Sequence, residues 1–165
     1  MPDANLLVTY EPSHAGSSKV EMEKVLKALK QKPKILKSEI DGVFMLRVMN
    51  PKKIVKSLVK LKSRKMFAHT FHWIPIDKWV PSNLKTMQSA IKKLKNGIKK
   101  NNKWKMDLHK RNFDIMQSTD LIMKLTEVVD RPHVDLDNPQ KIITVQIIGK
   151  KAGLALLNKD ELFIA

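Results

Sequence analysis

Asp135 and Asp137 stand two residues apart, so on a strand they would share a face, the arrangement that acid–base work or a divalent cation requires. Asp137-Asn138-Pro139 explains them better as a turn, because short polar side chains bond their own backbone and proline fixes φ. His69 and His72 would have to converge to hold a metal, yet at i and i+3 of a strand they point to opposite faces. Ser13-His14, and Ser118 with its nearby aspartates, lack triad spacing, and each serine suits a helix cap equally well. There is no cysteine, hence no thiolate nucleophile, disulfide or cysteine-based zinc or iron–sulfur site. The five glycines, at 16, 42, 97, 149 and 153, form neither G-x-G-x-x-G nor a Walker loop. The expectation is a protein without catalytic residues, metal, cofactor or small-molecule substrate.

What the spacing does assemble is positive charge. Lys103, Lys105, His109 and Arg111 fall at alternate positions with Asp107, so a strand there turns a cationic side one way and Trp104, Met106 and Leu108 the other. Lys92, Lys93, Lys99 and Lys100, with Lys85, back an amphipathic helix whose apolar stripe is Leu84, Met87, Ile91, Leu94 and Ile98. Lys110 and Lys141 complete the candidate set, and Arg111 leads it because a planar guanidinium can grip a phosphate bidentately. Of the formal net charge of +16, residues 51–111 carry 18 basic against 2 acidic side chains, while residues 112–165 carry 6 against 8. Clustering of this kind is an electrostatic footprint for a polyanion. Lys52, Lys53, Lys56, Lys60, Lys62, Arg64 and Lys65 form a second basic group that extends this track or is an ordinary wet helix surface. Lys150 and Lys151 are weaker candidates. Phe67, Phe71, Trp73, Trp79, Trp104 and Phe113 fall mostly on apolar phases and are expected in the core rather than stacked on bases.

The elements that must position these side chains are legible in the periodicity. Asn5 to Tyr10 is a β-rich run, and 11–16 is loop chemistry. Ser18-Lys19-Val20-Glu21 has capping-box spacing and predicts a helix over about 18–31 with Val20, Val25, Leu26 and Leu29 on one face. Ile35 to Ile40 and Val43 to Met49 flank Asp41-Gly42, a two-residue hairpin signal. Asn50-Pro51 fits an N-cap and first helical residue, with Ile54, Val55, Leu58, Val59 and Leu61 as the stripe. Phe67 to Ile74 is the last strand of a β-α-β-β-α-β order, the ferredoxin-like pattern. A boundary falls within Pro75 to Asn83. Beyond it lie the basic-backed helix, the strand from Lys103 to Arg111, a helix opened by Ser118-Thr119-Asp120, and strands at Val134 to Leu136, Lys141 to Ile148 and Leu154 to Leu157. The fold class is α+β, with domains at 1–80 and 81–165. No apolar run reaches a membrane-spanning length and the N-terminus shows no secretory signal, so a cytoplasmic compartment is expected.

The second half resembles the THUMP domain, an RNA-binding module of tRNA-modifying proteins. The match is carried by residues 104–112 (Trp104 to Asn112), Ser118-Thr119-Asp120-Leu121-Ile122, and above all Val134 to Ile148, VDLDNPQKIITVQII. A ferredoxin-like domain precedes the THUMP core in that family, which suits residues 1–80. Most members carry a catalytic domain afterwards, whereas this chain ends at Ala165. It is therefore similar to the stand-alone THUMP adaptors that present tRNA to an RNA cytidine acetyltransferase. That resemblance implies tRNA as partner, gripped at its acceptor end, and acetyltransferase chemistry belonging to the other protein. The rival readings are a small RNA-modifying enzyme acting alone, a general RNA chaperone or ribosome-associated basic protein, and a protein–protein module whose basic face meets an acidic partner.

Overall fold

In the computed structural model residues 2–61 and 67–164 are described. The N-terminal strand β1 (Leu6–Tyr10) is flanked by β3 (Val43–Arg47) and β4 (Thr70–Pro75), both antiparallel to it. Strand β2 (Lys34–Leu36) lies outside β3, and β9 (Phe163–Ile164) lies outside β4, so the sheet order is β2-β3-β1-β4-β9. With α1 (Ala15–Ala28) and α2 (Pro51–Lys60) this is the ferredoxin-like arrangement, extended at one edge by the end of the chain. Met22, Val25 and Leu26 of α1 and Ile54, Val55 and Leu58 of α2 bury against Leu6, Val8, Leu46 and Trp73.

Three local expectations are corrected here. First, α1 begins at Ala15, directly after a 3-10 turn over Pro12–His14, so residues 12–16 are not loop. Ser18 is buried and its Oγ donates to the His14 carbonyl at 2.7 Å, which is a back-bond within the helix and not a cap. Glu21 then reaches across to β4, where its carboxylate accepts from the amides of His69 (3.0 Å) and Thr70 (2.7 Å). Val20 is exposed and Met22 takes its place in the core.

Second, Leu36 pairs with Met45, so residues 37–42 form a longer connection than a two-residue hairpin. Gly42 still needs its freedom: its φ is +90°, and a Cβ there would sit 3.2 Å from both Tyr10 O and Pro12 Cγ. Third, Asn50 stands at the N-cap of α2 with Pro51 opening the helix, as expected, but it does so in the left-handed conformation (φ 52°) and without a side-chain cap bond. It contributes its carbonyl, which accepts from Ile54 N at 3.1 Å.

The other unit is built on β5 (Lys78–Pro81), α3 (Leu84–Leu94), β6 (Trp104–Arg111), α4 (Ser118–Glu127), β7 (Lys141–Ile148) and β8 (Lys151–Asn158). Its sheet runs β5-β8-β7-β6, with β6 parallel to β7 and the other pairs antiparallel. A parallel pair needs a crossover, and α4 supplies it. Alternation sorts the side chains: Trp104, Met106, Ile143, Val145 and Ile147 meet Met87 and Ile91 of α3 and Leu121 and Leu125 of α4. Asn83 caps α3, accepting from Thr86 N at 2.9 Å.

Against the expected division at 80/81, the compact units are 2–76 with 160–165, and 77–159. The expected strand at Val134 to Leu136 is reduced to one bridge between Val134 and Trp104, because Asp135 turns the chain back immediately afterwards. No helix among the described residues is long and apolar enough to cross a membrane.

Candidate nucleic-acid interface

Strand β6 places the predicted cations, and it separates them. From Lys103 to Arg111 the chain advances eight residues in extended form, about 26 Å. The expected single cationic strand face is therefore two clusters at opposite ends, with a partly neutralised middle.

At the first end, Lys92 and Lys93 project into solvent from the last turn of α3. A 3-10 turn over Lys95–Gly97 follows, so Lys99 and Lys100 lie in the connection to β6 and not on the helix where periodicity put them. Both are exposed, as is Lys103. The connection is pinned from beneath by Arg131, whose Nε donates to Ile98 O at 2.7 Å and whose Nη2 donates to Lys95 O at 3.4 Å. The Asn102 side chain accepts from Lys99 N at 2.7 Å. A cationic platform at a helix C-terminus is electrostatically favoured, since the dipole is negative there. Lys141 sits at this end too, opposite Trp104, but its Nζ is engaged by Asn158 Oδ1 at 2.6 Å.

Lys103 is bound into the strand's start by the 133–141 segment. Its amide donates to Gln140 Oε1 (2.8 Å), and its carbonyl accepts from Gln140 N (2.8 Å) and Lys141 N (3.1 Å). Its Nζ lies 3.8 Å from the Asp135 carboxylate, which also accepts from the amides of Asp137 (3.0 Å) and Asn138 (2.9 Å). Those amides, Asn138 first, with Lys103 adding a smaller attraction, hold the Asp135 carboxyl below its ordinary range. Asp135 is therefore the residue that closes the turn, the part the sequence reading gave to Asp137, and the two aspartates do not share a strand face.

In the middle, Lys105 is half-buried and His109 Nε2 lies 3.5 Å from Asp107 Oδ1. At the far end, Lys110 points to the helix side and donates to Met116 O at 2.9 Å. Arg111 is half-buried; its Nη1 donates to Gln146 Oε1 at 2.9 Å, and burial lowers its pKa from the ordinary value. Of the ten predicted ligands, Lys92, Lys93, Lys99, Lys100 and Lys103 are thus gathered as exposed cations, while Lys105, His109, Lys110, Arg111 and Lys141 are half-buried.

With this geometry in place, the family comparison decides the assignment: residues 81–157 match the model of the THUMP domain. Residues 81–157 are a THUMP domain. Such domains are RNA-binding modules of tRNA modification. None of the curated proteins matches the sequence. Among solved structures, the chain is similar to PH1313 from Pyrococcus horikoshii Ot3 (16% identity, TM-score 0.66), covering 94% of this chain and 55% of that one. It is also similar to TrmN from Thermus thermophilus (14% identity, TM-score 0.61, 92% and 44% covered). A third is a 4-thiouridine synthetase, solved as an RNA complex with bound ATP (12% identity, TM-score 0.54, 94% and 42% covered). At these identities the likeness is one of fold, and the chain spans about half of each neighbour's length or less.

The THUMP domain also contains groups the sequence reading passed over. Arg131 organises the lysine-bearing connection, and nothing in its local spacing announces a partner 33 residues away. Asp120, Met123, Glu127 and Asp130 step by 3, 4 and 3 along α4 and its exit, forming an exposed stripe with three carboxylates. An i, i+3, i+7 count on polar residues would have found it.

The remaining predicted residues fall elsewhere. In the second basic group, Lys53 and Lys60 are exposed and Lys56 Nζ lies 3.6 Å from Glu161; Lys62, Arg64 and Lys65 lie outside the described residues. Phe67, Trp73, Trp104 and Phe113 are core as expected, whereas Phe71 is exposed and Trp79 only half-buried. His72 Nδ1 lies 3.1 Å from Thr9 Oγ1, while His69 faces the ring of His14 at 5.8 Å, so the pair diverges.

Proposed function

We propose that this protein is a tRNA-binding adaptor that presents its RNA to a separate modifying enzyme, an RNA cytidine acetyltransferase. The observation that carries the RNA-binding part is the run of exposed cations Lys92 and Lys93 at the end of α3, Lys99 and Lys100 on the connection that Arg131 and Asn102 hydrogen-bond, and Lys103 at the start of β6. Preorganised cations lose little entropy on meeting a phosphate backbone, and each contact releases counterions. The THUMP domain and its place in tRNA modification support tRNA as the ligand, and the acceptor end as the part gripped rests on the family resemblance. The adaptor role and the acetyltransferase rest on the resemblance to stand-alone THUMP proteins. In this reading the chain does no chemistry itself and works in the cytoplasm.

Filter binding across salt tests the first half. With about five phosphate contacts, affinity for tRNA falls on the order of a hundredfold between about 50 and 200 mM salt. Reversing Lys92, Lys93, Lys99 and Lys100 together abolishes retention at about 150 mM salt; unchanged retention overturns the assignment. Unrelated duplex RNA competing as well as tRNA at that salt would favour a general RNA chaperone. Acetylation of tRNA by acetyl-CoA, required to appear only when the acetyltransferase is added, tests the second half. Modification without it makes the chain an enzyme in its own right.

A further inference from the structure

Residues 112–165 carry two more acids than bases in a chain of net +16, and the stripe Asp120, Met123, Glu127, Asp130 places three of the acids along α4 and its exit. Beside this stripe a groove of about 520 Å³ runs between the C-terminal half of α4, the 130–134 segment and the start of β6. Buried Trp104 lines it, and Met123 (65% exposed) and Val134 (58% exposed) offer apolar surface along it. Glu127 and Asp130 line it too, both exposed, and neither has an ion-pair partner among the described residues. The cation within the lining, Arg131, is spent: Nε, Nη1 and Nη2 all donate to backbone carbonyls, of Ile98, Asp130 and Lys95. Lys124 is a further cation, exposed on α4.

We propose that this groove is the docking site for a short, basic segment of a partner protein, with an apolar side chain seated between Met123 and Val134 and lysine or arginine side chains meeting Glu127 and Asp130. Charge complementarity selects that occupant. Two unpaired carboxylates repel a phosphate backbone and attract a cationic peptide, and methionine adapts to apolar anchors of varied shape. The inference rests on the adaptor reading for its biological purpose, but its geometry does not depend on which RNA is bound.

Panning a random peptide library displayed on phage against the full chain tests it, with the double variant Glu127→Lys, Asp130→Lys as the counter-target. Enriched peptides are expected to carry lysine or arginine around an apolar residue and to bind the double variant about tenfold or more weakly. Met123→Ser, which removes the apolar anchor without adding charge, is expected to weaken the same peptides, and melting curves of both variants are expected to match the parent, as the altered side chains are exposed. Peptides without basic residues, or equal binding to parent and variants, overturn the proposal. So does a loss of tRNA affinity in the double variant, which would assign this face to RNA. Basic peptides enriched by a chain that fails to retain tRNA would uphold the groove and remove the adaptor reading alone.

Discussion

Nη1 of Arg111 donates to Oε1 of Gln146 at 2.9 Å, and the Gln146 amide in turn donates to Thr144 Oγ1 at 2.9 Å. Gln146 and Thr144 are fully buried, so the guanidinium begins a polar chain running into the sheet and is not simply a hand extended to solvent. Removing it strands a buried amide oxygen, which costs about 1–3 kcal/mol. Arg111→Gln is therefore expected to lower the melting temperature clearly while weakening tRNA binding less than Lys99→Gln does. An unaltered melt with lost RNA retention would return Arg111 to the RNA.

Lys99 and Lys100 sit on the pinned connection and are the sharpest test of the phosphate platform. Each lysine that meets a phosphate contributes about 0.7–0.9 to the slope of log affinity against log salt. Neutralising the two together should flatten that slope by about 1.4–1.8, with folding unchanged by circular dichroism. A parallel shift without a change of slope would mean that they act at a distance.

The Asp135 carboxyl is held below its ordinary value of 3.8, chiefly by the amides of Asn138 and Asp137. Its folded-state pKa is depressed, so its stabilising effect is complete above the unfolded value and fades as pH falls through the folded one. Asp135→Ala should melt lower than the parent at neutral pH, and the gap should close in strong acid. Asp135→Asn keeps an acceptor oxygen and should recover part of the difference. A gap independent of pH would show that the carboxylate charge has no part in closing the turn.

Glu21 joins α1 to β4 by accepting the two amides of His69 and Thr70. Glu21→Ala leaves the buried Thr70 amide and the partly buried His69 amide without this partner and should cost about 1–3 kcal/mol, read by denaturant unfolding. Glu21→Gln offers one oxygen in place of two and should fall between. Parent-like stability of the alanine variant would show that water replaces the carboxylate there.

The resemblance to the THUMP family, now matched over 81–157, was readable because its specific segment is contiguous: Val134 to Ile148 contains both the turn and the strand it feeds. The ferredoxin-like order was readable for a related reason. Periods of 2 and 3.6 are set locally by which residues must leave water, and β1, α1, β3, α2 and β4 each announce themselves this way. Strand β9 did not, because two residues carry no period; only pairing with His72 and Trp73 makes Phe163–Ile164 a strand.

Sequence by itself determined the fold class, the THUMP assignment and the sign and rough address of the charge, since composition and short-range spacing survive without coordinates. Tertiary structure decided which cations face water. Period two sorts side chains to one side of β6, but it cannot say that Gln146 turns Arg111 inward or that Arg131 holds the Lys99–Lys100 connection from 33 residues away. Those are contacts between segments distant in the chain, and no local pattern encodes the partner of a long side chain.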